Sequence, residues 1–474
     1  MLILLLQACG QHARLADTSL CSQRLADLEA VAKQDRVWVS EPREVAGFPA
    51  FASNRFLASY DPQILREDQR QAWFTRLLSA GNQRRELLTL MVQAGPLDGA
   101  AENADLVSLE SCAEQALVAL PDGAATWDVL SAALHVPDDY SLWRRALGLY
   151  PLSSLAAKAA IADLQLELRE TYAIPARELP VQGEMHYYVP PEKASKLDSD
   201  STAPLQRDAL GVVIPDAARL TTLFERHAPV WAVDTMGDFD RPGVPFYAGS
   251  GVPHVDSSEA VVFTYASMTR FQGAPQLQLN YLLWFDGRPK ESVFDSLGGP
   301  LDGLLWRVTL NEQGQVLLYD SIHACGCYQL YFPSQVLALR DSASLLPEPP
   351  LVMRKAPALS AGERVVLHVG PVAHYLQGLS VLEKDAELEP EQSRYAFQDY
   401  VSLYRVRAPG GRRSLFDRNG IVRGTERSER FYLWPMGIRS PGAMRERGRH
   451  ATAFVGRRHF DDADFIDQLF RRMN

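Results

Sequence analysis

The densest cluster of residues that could do chemistry in this chain is the trio His323, Cys325 and Cys327. In an extended strand, side chains two residues apart point to the same face, so one imidazole and two thiols would be neighbours. Such residues lie about 6.6 Å apart along the strand, whereas metal to ligand bonds are only about 2.0 to 2.3 Å. Three-fold ligation therefore needs a bend, which Gly326 can supply because glycine adopts unusual backbone angles.

The trio has three interpretations. A Cys325 to Cys327 disulfide would be strained by its parallel side chains and easy to reduce, which predicts a thiol-disulfide redox protein. Two buried thiols with a purely structural role are the second interpretation. The third is a site for a soft or borderline ion, zinc or copper, in a metal-dependent enzyme or metal protein.

The metal interpretation needs further ligands from other parts of the chain. His254 and His374 are the candidates for the fourth ligand. His254 lies in a loop rich in glycine, proline and aspartate, a setting in which functional residues often occur. Asp256 and Asp320 are candidates for orienting the ligands from outside the first coordination sphere.

A β-hairpin between Leu304 and Phe332 must position this trio. Residues from Leu304 to Leu310 alternate between two faces, as a half-buried strand does. Asn311 to Gly314 then form a turn, and Leu317 to Cys327 form the second arm. If this arm stays extended to its end, His323, Cys325 and Cys327 share one face.

The surrounding chain is predicted to have an α+β fold, with an N-terminal helical bundle and then a mainly antiparallel β domain. Residues 21–175 contain leucine-rich helical spacing interrupted by proline and glycine, and Gly81 is expected to end the first long helix. Residues 176–205 are proline-rich and polar, which predicts an irregular bridge. Residues 206–474 contain short strand-like runs linked by turns.

Composition excludes several classes of protein. The 474 residues are 46% hydrophobic and 22% charged, as in globular proteins. A net charge of −10 argues against a nucleic-acid partner. No apolar run reaches the length of about 20 residues that a membrane-spanning helix needs. Phosphate-binding loops of the P-loop type, H-E-x-x-H motifs and G-x-S-x-G motifs do not occur.

The first 20 residues suggest an anchor segment. Met1 to Ala8 is a short apolar block, with Leu6 three residues before Cys9 and the small Ala8 directly before it. This stretch resembles the signal of bacterial lipoproteins. The resemblance implies export, lipid attached to Cys9, and a globular body at the periplasmic face of a membrane in the cell envelope.

Export would place the other cysteines in an oxidising compartment, where pairing is favoured. Besides Cys9, four remain, an even number. A Cys21 to Cys112 bridge would restrict the unfolded chain and so stabilise the folded protein by about 4 kcal/mol. Cys325 and Cys327 would be left to pair with each other.

Arginine is concentrated near the C-terminus. Between Arg405 and Arg458 there are fourteen arginines, no lysine and only four acidic residues. Arginine favours bidentate pairing with carboxylate or phosphate groups. These arginines either bind an anionic component of the envelope or pair internally with an otherwise acidic protein. The first possibility adds an alternative function, a non-catalytic envelope scaffold or binding protein.

Overall fold

The computed structural model describes residues 23–32, 37–92, 110–115, 124–191, 205–214, 216–249, 251–290, 292, 295–384, 386, 388 and 391–473. The α+β class is confirmed, because long helices precede a strand-rich region with antiparallel and mixed sheets. In the described part of the chain, no helix combines the length and apolar character needed to cross a membrane.

The chain forms two compact units. The first comprises Met1–Pro137 and Tyr404–Gly420, and the second comprises Asp138–Leu403 and Ile421–Asn474. The predicted domain boundary at 176–205 lies inside the second unit and stays a prediction. That region also contains one strand, Glu184–Val189, where the sequence suggested only irregular structure.

Helices make up most of the first unit. Its helices are 23–32, Arg55–Ala58, Glu67–Val92, 110–115 and Ala124–Ala133, and its strands are Arg43–Val45, Phe48–Ser53, Val406–Ala408 and Gly411–Arg413. Trp73 is fully buried and its indole N–H donates to the Leu57 carbonyl at 2.9 Å. Cys112 is buried and disulfide-bonded. Its predicted partner Cys21, and Cys9, lie outside the described residues.

The prediction that Gly81 ends a helix was wrong, because Glu67–Val92 is one continuous helix. The glycine is needed there for close packing. A Cβ at position 81 would lie 2.1 Å from the Ala50 carbonyl oxygen, on a strand that passes directly over the helix. Gly81 therefore permits a helix-to-strand contact instead of a turn.

Two sheets dominate the second unit. The seven-stranded sheet has the order Leu351–Val352, Leu330–Pro333, Val316–His323, Gly299–Leu310, Ala274–Arg288, Val261–Phe271 and Ala396–Asp399. The five-stranded sheet has the order Leu376–Leu382, Arg364–Val369, Val230–Thr235, Glu184–Val189 and Glu391–Arg394. Two short strand pairs accompany them, Val244–Tyr247 with Pro253–Asp256 and Leu337–Leu339 with Phe470–Arg472. The helices of this unit are Leu142–Leu147, Tyr150–Ala173, Ala217–Arg226, Arg430–Leu433 and Phe465–Leu469.

The two sheets share one hydrophobic core. Trp231 and Leu367 from the five-stranded sheet belong to the same buried cluster as Leu283 and Trp306 from the seven-stranded sheet. All four side chains are at most 1% exposed. Alternating residues of each strand thus form a packed interior between two layers.

The predicted hairpin is present, but its second arm is shorter than expected. Gly299–Leu310 pairs antiparallel with Val316–His323, and the Gly314 N–H closes the turn on the Asn311 carbonyl at 2.9 Å. The strand ends at His323. Cys325 and Cys327 therefore do not continue the alternation, and the expectation of one shared strand face is wrong for them.

Candidate functional site

Residues 323 to 327 form a tight turn at the end of the hairpin's second arm. The Gly326 N–H donates to the His323 carbonyl at 2.7 Å, and the His323 N–H donates to the Cys327 carbonyl at 3.0 Å. Gly326 has a φ of +94°, a conformation that side chains other than glycine rarely adopt. The predicted bend at Gly326 is confirmed, and it brings both cysteines close to His323.

A segment more than a hundred residues away holds this turn in place. The Arg445 backbone N–H donates to the Ala324 carbonyl at 2.8 Å, and its Nε donates to the Cys325 carbonyl at 3.2 Å. A Cβ at Gly326 would lie 2.6 Å from the Ala451 carbonyl oxygen. Long-range contacts therefore fix the position of the cysteines.

The turn opens into a small cavity that is continuous with solvent. His323, Cys325 and Cys327 all line it. The other lining residues are Arg288, Leu297, Asp302, Tyr328, Ala373, Tyr375, Arg427, Glu429, Gly442 and Met444. Cys325 is 8% exposed and Cys327 is more accessible. The predicted trio thus faces one small space, although a turn and not a strand brings it there.

The two cysteines are free thiols in contact with each other. The Cys327 backbone N–H donates to the Cys325 Sγ at 3.4 Å. A hydrogen bond between the two side chains raises the pKa of Cys327 well above its ordinary value, and burial raises it further. Cys327 is therefore held as the protonated partner that donates to the Cys325 sulfur.

Two buried guanidinium groups lie beside Cys325. Burial lowers the pKa of Arg427 and of Arg445, and a negative charge on Cys325 opposes that shift at both. Nη1 of Arg445 is buried and has no hydrogen-bond partner among the described residues. The thiolate is the nucleophilic and metal-binding form of cysteine.

Glu429 supplies a carboxyl group with an unusually high pKa. Its side chain is buried, and this burial raises the pKa of Glu429 to about 7, against the opposing charges of Arg427 and Arg288. A negative charge on Glu429 in turn raises the pKa of Cys327, so the two groups are neighbours. A carboxyl group that titrates near neutrality can both accept and donate a proton.

Behind His323 lies a series of buried charged groups. Nδ1 of His323 is 3.5 Å from Oδ1 of Asp302, and Oδ2 of Asp302 is 2.9 Å from Nδ1 of His374. Nε2 of His374 lies 3.2 Å from Oδ1 of Asp240, although it lacks hydrogen-bond geometry there. Phe285 stacks on the His374 ring with a centroid distance of 4.0 Å. His374 and Asp240 are fully buried.

The charges in this series stabilise one another. Burial alone would raise the pKa of Asp302, but hydrogen bonds from His323 and then His374 outweigh it and hold the pKa far below its ordinary range. Burial alone would lower the pKa of His374, but Asp240 and Asp302 outweigh it and raise that pKa. An ionised Asp302 between two histidines is the arrangement that results.

Strained backbone is concentrated around the cavity. Seven non-glycine residues in the described part of the chain have a positive φ. Four of them belong to the cavity lining or are adjacent to a group described above: Leu301, Tyr328, Val372 and His374. Each such residue costs about 1–3 kcal/mol, and strain of this kind clusters at functional sites.

The other predicted site residues lie elsewhere. His254 is 42% exposed in its side chain and lies 3.3 Å from Asp286. Asp256 accepts a hydrogen bond from the Ser258 hydroxyl at 2.7 Å, and neither residue lines the cavity. Asp320 points to the opposite face of the sheet, where it forms a buried bidentate ion pair with Arg307. His374 does not line the cavity, but it contacts the lining residue Asp302 at 2.9 Å.

The described residues contain no group of three or more histidine, cysteine or acidic side chains arranged to hold a metal ion. Zinc or copper binding by the trio therefore stays a prediction. Sequence reasoning missed Asp302, Arg427, Glu429 and Arg445 as site residues. The one available signal was the arginine-rich stretch, to which the last three belong.

Several arginines of that stretch have internal partners. Arg449 lies 3.0 Å from Asp139, and Arg457 lies 2.8 Å from Asp138. Arg427 donates to the Leu301 carbonyl at 2.6 Å. These contacts agree with the internal interpretation for these residues, and binding of an anionic envelope component stays a prediction.

Comparison with known proteins gives no relative: no protein family, no curated protein and no solved structure matches this chain.

Proposed function

We propose that this chain is a thiol-disulfide redox protein that exchanges Cys325 and Cys327 with the disulfide of a small molecule. The observation that carries the proposal is the pair of free, mutually hydrogen-bonded thiols in one cavity, with two buried guanidinium groups beside Cys325. The cavity is continuous with solvent, so a small disulfide can approach the thiols from outside.

In the first step, the Cys325 thiolate attacks one sulfur of a disulfide, R–S–S–R. A bond forms between Cys325 and one sulfur, the substrate S–S bond breaks, and the other half leaves as a thiolate. Arg427 and Arg445 lie beside the attacking sulfur, and Nε of Arg445 donates to the Cys325 carbonyl at 3.2 Å. The attacking group must be a thiolate.

In the second step, Cys327 resolves the mixed disulfide. Its thiol gives a proton to the Glu429 carboxylate, and the resulting thiolate attacks the Cys325 sulfur. The second half of the substrate leaves and takes the proton from Glu429. The two cysteines end as a disulfide, and the substrate disulfide ends as one thiolate and one thiol. Because the pKa of Cys327 is raised, this step needs a neighbouring base, and Glu429 is the carboxyl group beside it.

The first test uses the Cys327→Ser variant, which lacks the resolving thiol. Treated with 2-hydroxyethyl disulfide, it should accumulate a mixed disulfide at Cys325, while the wild-type protein should lose two hydrogens and form an internal disulfide. Mass spectrometry of cysteine-containing peptides measures both products. The matched control Cys325→Ser should form little adduct at Cys327. Unreactive thiols in the folded wild-type protein would refute the proposal and favour the scaffold alternative.

Metal binding is the second candidate function, because three of the predicted ligands, His323, Cys325 and Cys327, line the same cavity. Elemental analysis of protein purified without chelators tests it. About one zinc or copper ion per chain, reduced in both Cys325→Ser and His323→Gln, would favour this function. Metal-free protein that forms the mixed disulfide would leave the redox proposal alone.

We also propose that the protein is a lipoprotein of the bacterial envelope, anchored through Cys9 at the periplasmic face of a membrane. The lipoprotein-like residues Leu6, Ala8 and Cys9 support this location. The disulfide at Cys112 supports it independently, because disulfides persist in oxidising compartments. Disulfide-bonded small molecules are also stable substrates there.

A further inference from the structure

The series Asp240, His374, Asp302 and His323 connects the protein interior to the cavity. Asp240 is held on both oxygens: Oδ1 accepts from the Val372 N–H at 2.7 Å and Oδ2 from the Met236 N–H at 2.8 Å. The four members of the series come from four elements: a 3₁₀ turn, the two strands of the hairpin and the loop after Val369. The fold thus brings separate segments together at this arrangement.

This series is costly to build. Ionised groups lose hydration when they are buried, and each must regain that energy from its partners. The loop that carries His374 adds backbone strain, because Val372 and His374 have φ values of +62° and +52°. Val372 is β-branched, so its left-handed conformation is especially unfavourable. Buried charges and strain together at the wall of a cavity indicate a functional arrangement more than a stabilising one.

The member of the series that reaches the cavity is His323. Its Nδ1 faces Asp302, so the N–H on Nδ1 is directed to that carboxylate and Nε2 is left for the cavity. The rings of Tyr328 and Tyr375 pack on the imidazole at centroid distances of 5.1 and 5.4 Å. The hydroxyl of Tyr375 donates to that of Tyr328 at 2.8 Å, which fixes both rings. The imidazole therefore has one orientation.

On the basis of the proposed exchange reaction, we infer that His323 donates a proton to the thiolate that leaves in the first step. Asp302, His374 and Asp240 are then residues that position His323. The Cys325 thiolate forms a bond to one substrate sulfur, the S–S bond breaks, and the departing sulfur takes the proton from Nε2 of the His323 imidazolium. Neutral His323, a mixed disulfide and one free thiol result.

The test compares two disulfide substrates whose leaving thiolates differ in how much they need to be protonated. Thiols of low pKa leave readily as anions, whereas alkyl thiols leave poorly unless they are protonated. His323→Gln should slow single-turnover exchange with 2-hydroxyethyl disulfide by about 10²-fold or more, the usual range for a lost general acid. Its reaction with an aromatic disulfide such as dithiobis(nitrobenzoate) should change little.

The positioning role is tested with His374→Gln, which leaves the cavity lining unchanged. This variant should show the same preferential loss with the alkyl disulfide, to a smaller extent. His368→Gln is the matched control, because His368 lies in the preceding strand and contacts Ser380 at 2.8 Å instead of the series. It should react like the wild type with both substrates.

Equal losses with the two substrates in His323→Gln and His374→Gln would overturn the inference and leave the exchange reaction standing. No reaction of the wild-type protein with either substrate would overturn the proposed function itself. If His323→Gln does not fold, Asp302→Asn and His374→Gln decide between these outcomes, with circular dichroism confirming that each is folded.

Discussion

Burial gives Glu429 a protonation state that its sequence position does not reveal. A glutamate near two arginines would ordinarily be ionised at neutral pH, yet burial raises its pKa to about 7 because desolvation exceeds the attraction of Arg427 and Arg288. The folded protein therefore binds a proton at Glu429 between pH 4.5 and about 7, where the unfolded chain does not.

The consequence is a defined pH dependence of stability. The folding contribution of Glu429 is fully present below its ordinary pKa of 4.5 and is lost as the pH rises through about 7. The loss should reach about 3 kcal/mol, at about 1.4 kcal/mol per pKa unit. Urea denaturation at pH 5 and pH 8 should show that Glu429→Gln removes this loss. Glu312→Gln, an exposed control, should not. Parallel profiles for wild type and Glu429→Gln would contradict the raised pKa.

Asp320 and Arg445 show which side-chain positions can be predicted from the sequence and which cannot. Asp320 lies three positions before His323, so strand alternation alone directs it to the opposite face, where it pairs with Arg307. That information was present in the sequence. The contact between Arg445 and Cys325 was not, because it joins residues 120 positions apart and depends on the complete fold.

At the scale of elements, local pattern predicted the hairpin well and its end poorly. The strand pair and the turn at Asn311 to Gly314 follow from alternation and turn chemistry. The bend at Gly326 was expected only because three-fold ligation would need it. The end of the strand at His323 does not follow from local pattern, because hydrogen bonds from the distant Arg445 hold the turn. The same holds for Gly81, whose role depends on a strand that packs over its helix.

Gly326 offers a test of how strictly this turn positions the thiols. Gly326→Ala should destabilise the protein by more than about 1–3 kcal/mol, since it adds a steric contact with Ala451 to the cost of a positive φ. It should also slow formation of the mixed disulfide at Cys325. Thermal denaturation and thiol exchange measure the two effects.

The control for this substitution is Gly314→Ala in the preceding turn. Gly314 also has a positive φ, +73°, but a Cβ there would meet nothing within 4 Å. Its alanine variant should therefore cost only the conformational part, about 1 kcal/mol, and leave thiol exchange unchanged. If both variants exchange thiols like the wild type, the turn does not position the cysteines.

On the scale of the whole molecule, the second unit combines separated segments around one cavity. The hairpin supplies His323 and the cysteines, the loop after Val369 contributes His374, and residues after Ile421 contribute Arg427, Glu429 and Arg445. The sequence predicted the α+β class because periodicity is local. It did not predict this assembly, because the residues around the cavity are far apart in the sequence and only packing between distant segments brings them together.

The proposed envelope location predicts how the thiols behave in the cell. There, the Cys112 disulfide should persist, whereas Cys325 and Cys327 should alternate between thiol and disulfide forms. Rapid acid quenching followed by alkylation and peptide mass spectrometry should find Cys112 fully oxidised and the cavity pair in both states.

The membrane fraction should contain the protein with a lipid-modified Cys9, and Cys9→Ala should release it from that fraction. Unmodified Cys9 on cytosolic protein, with Cys112 reduced, would contradict this location and remove the oxidising environment that it provides.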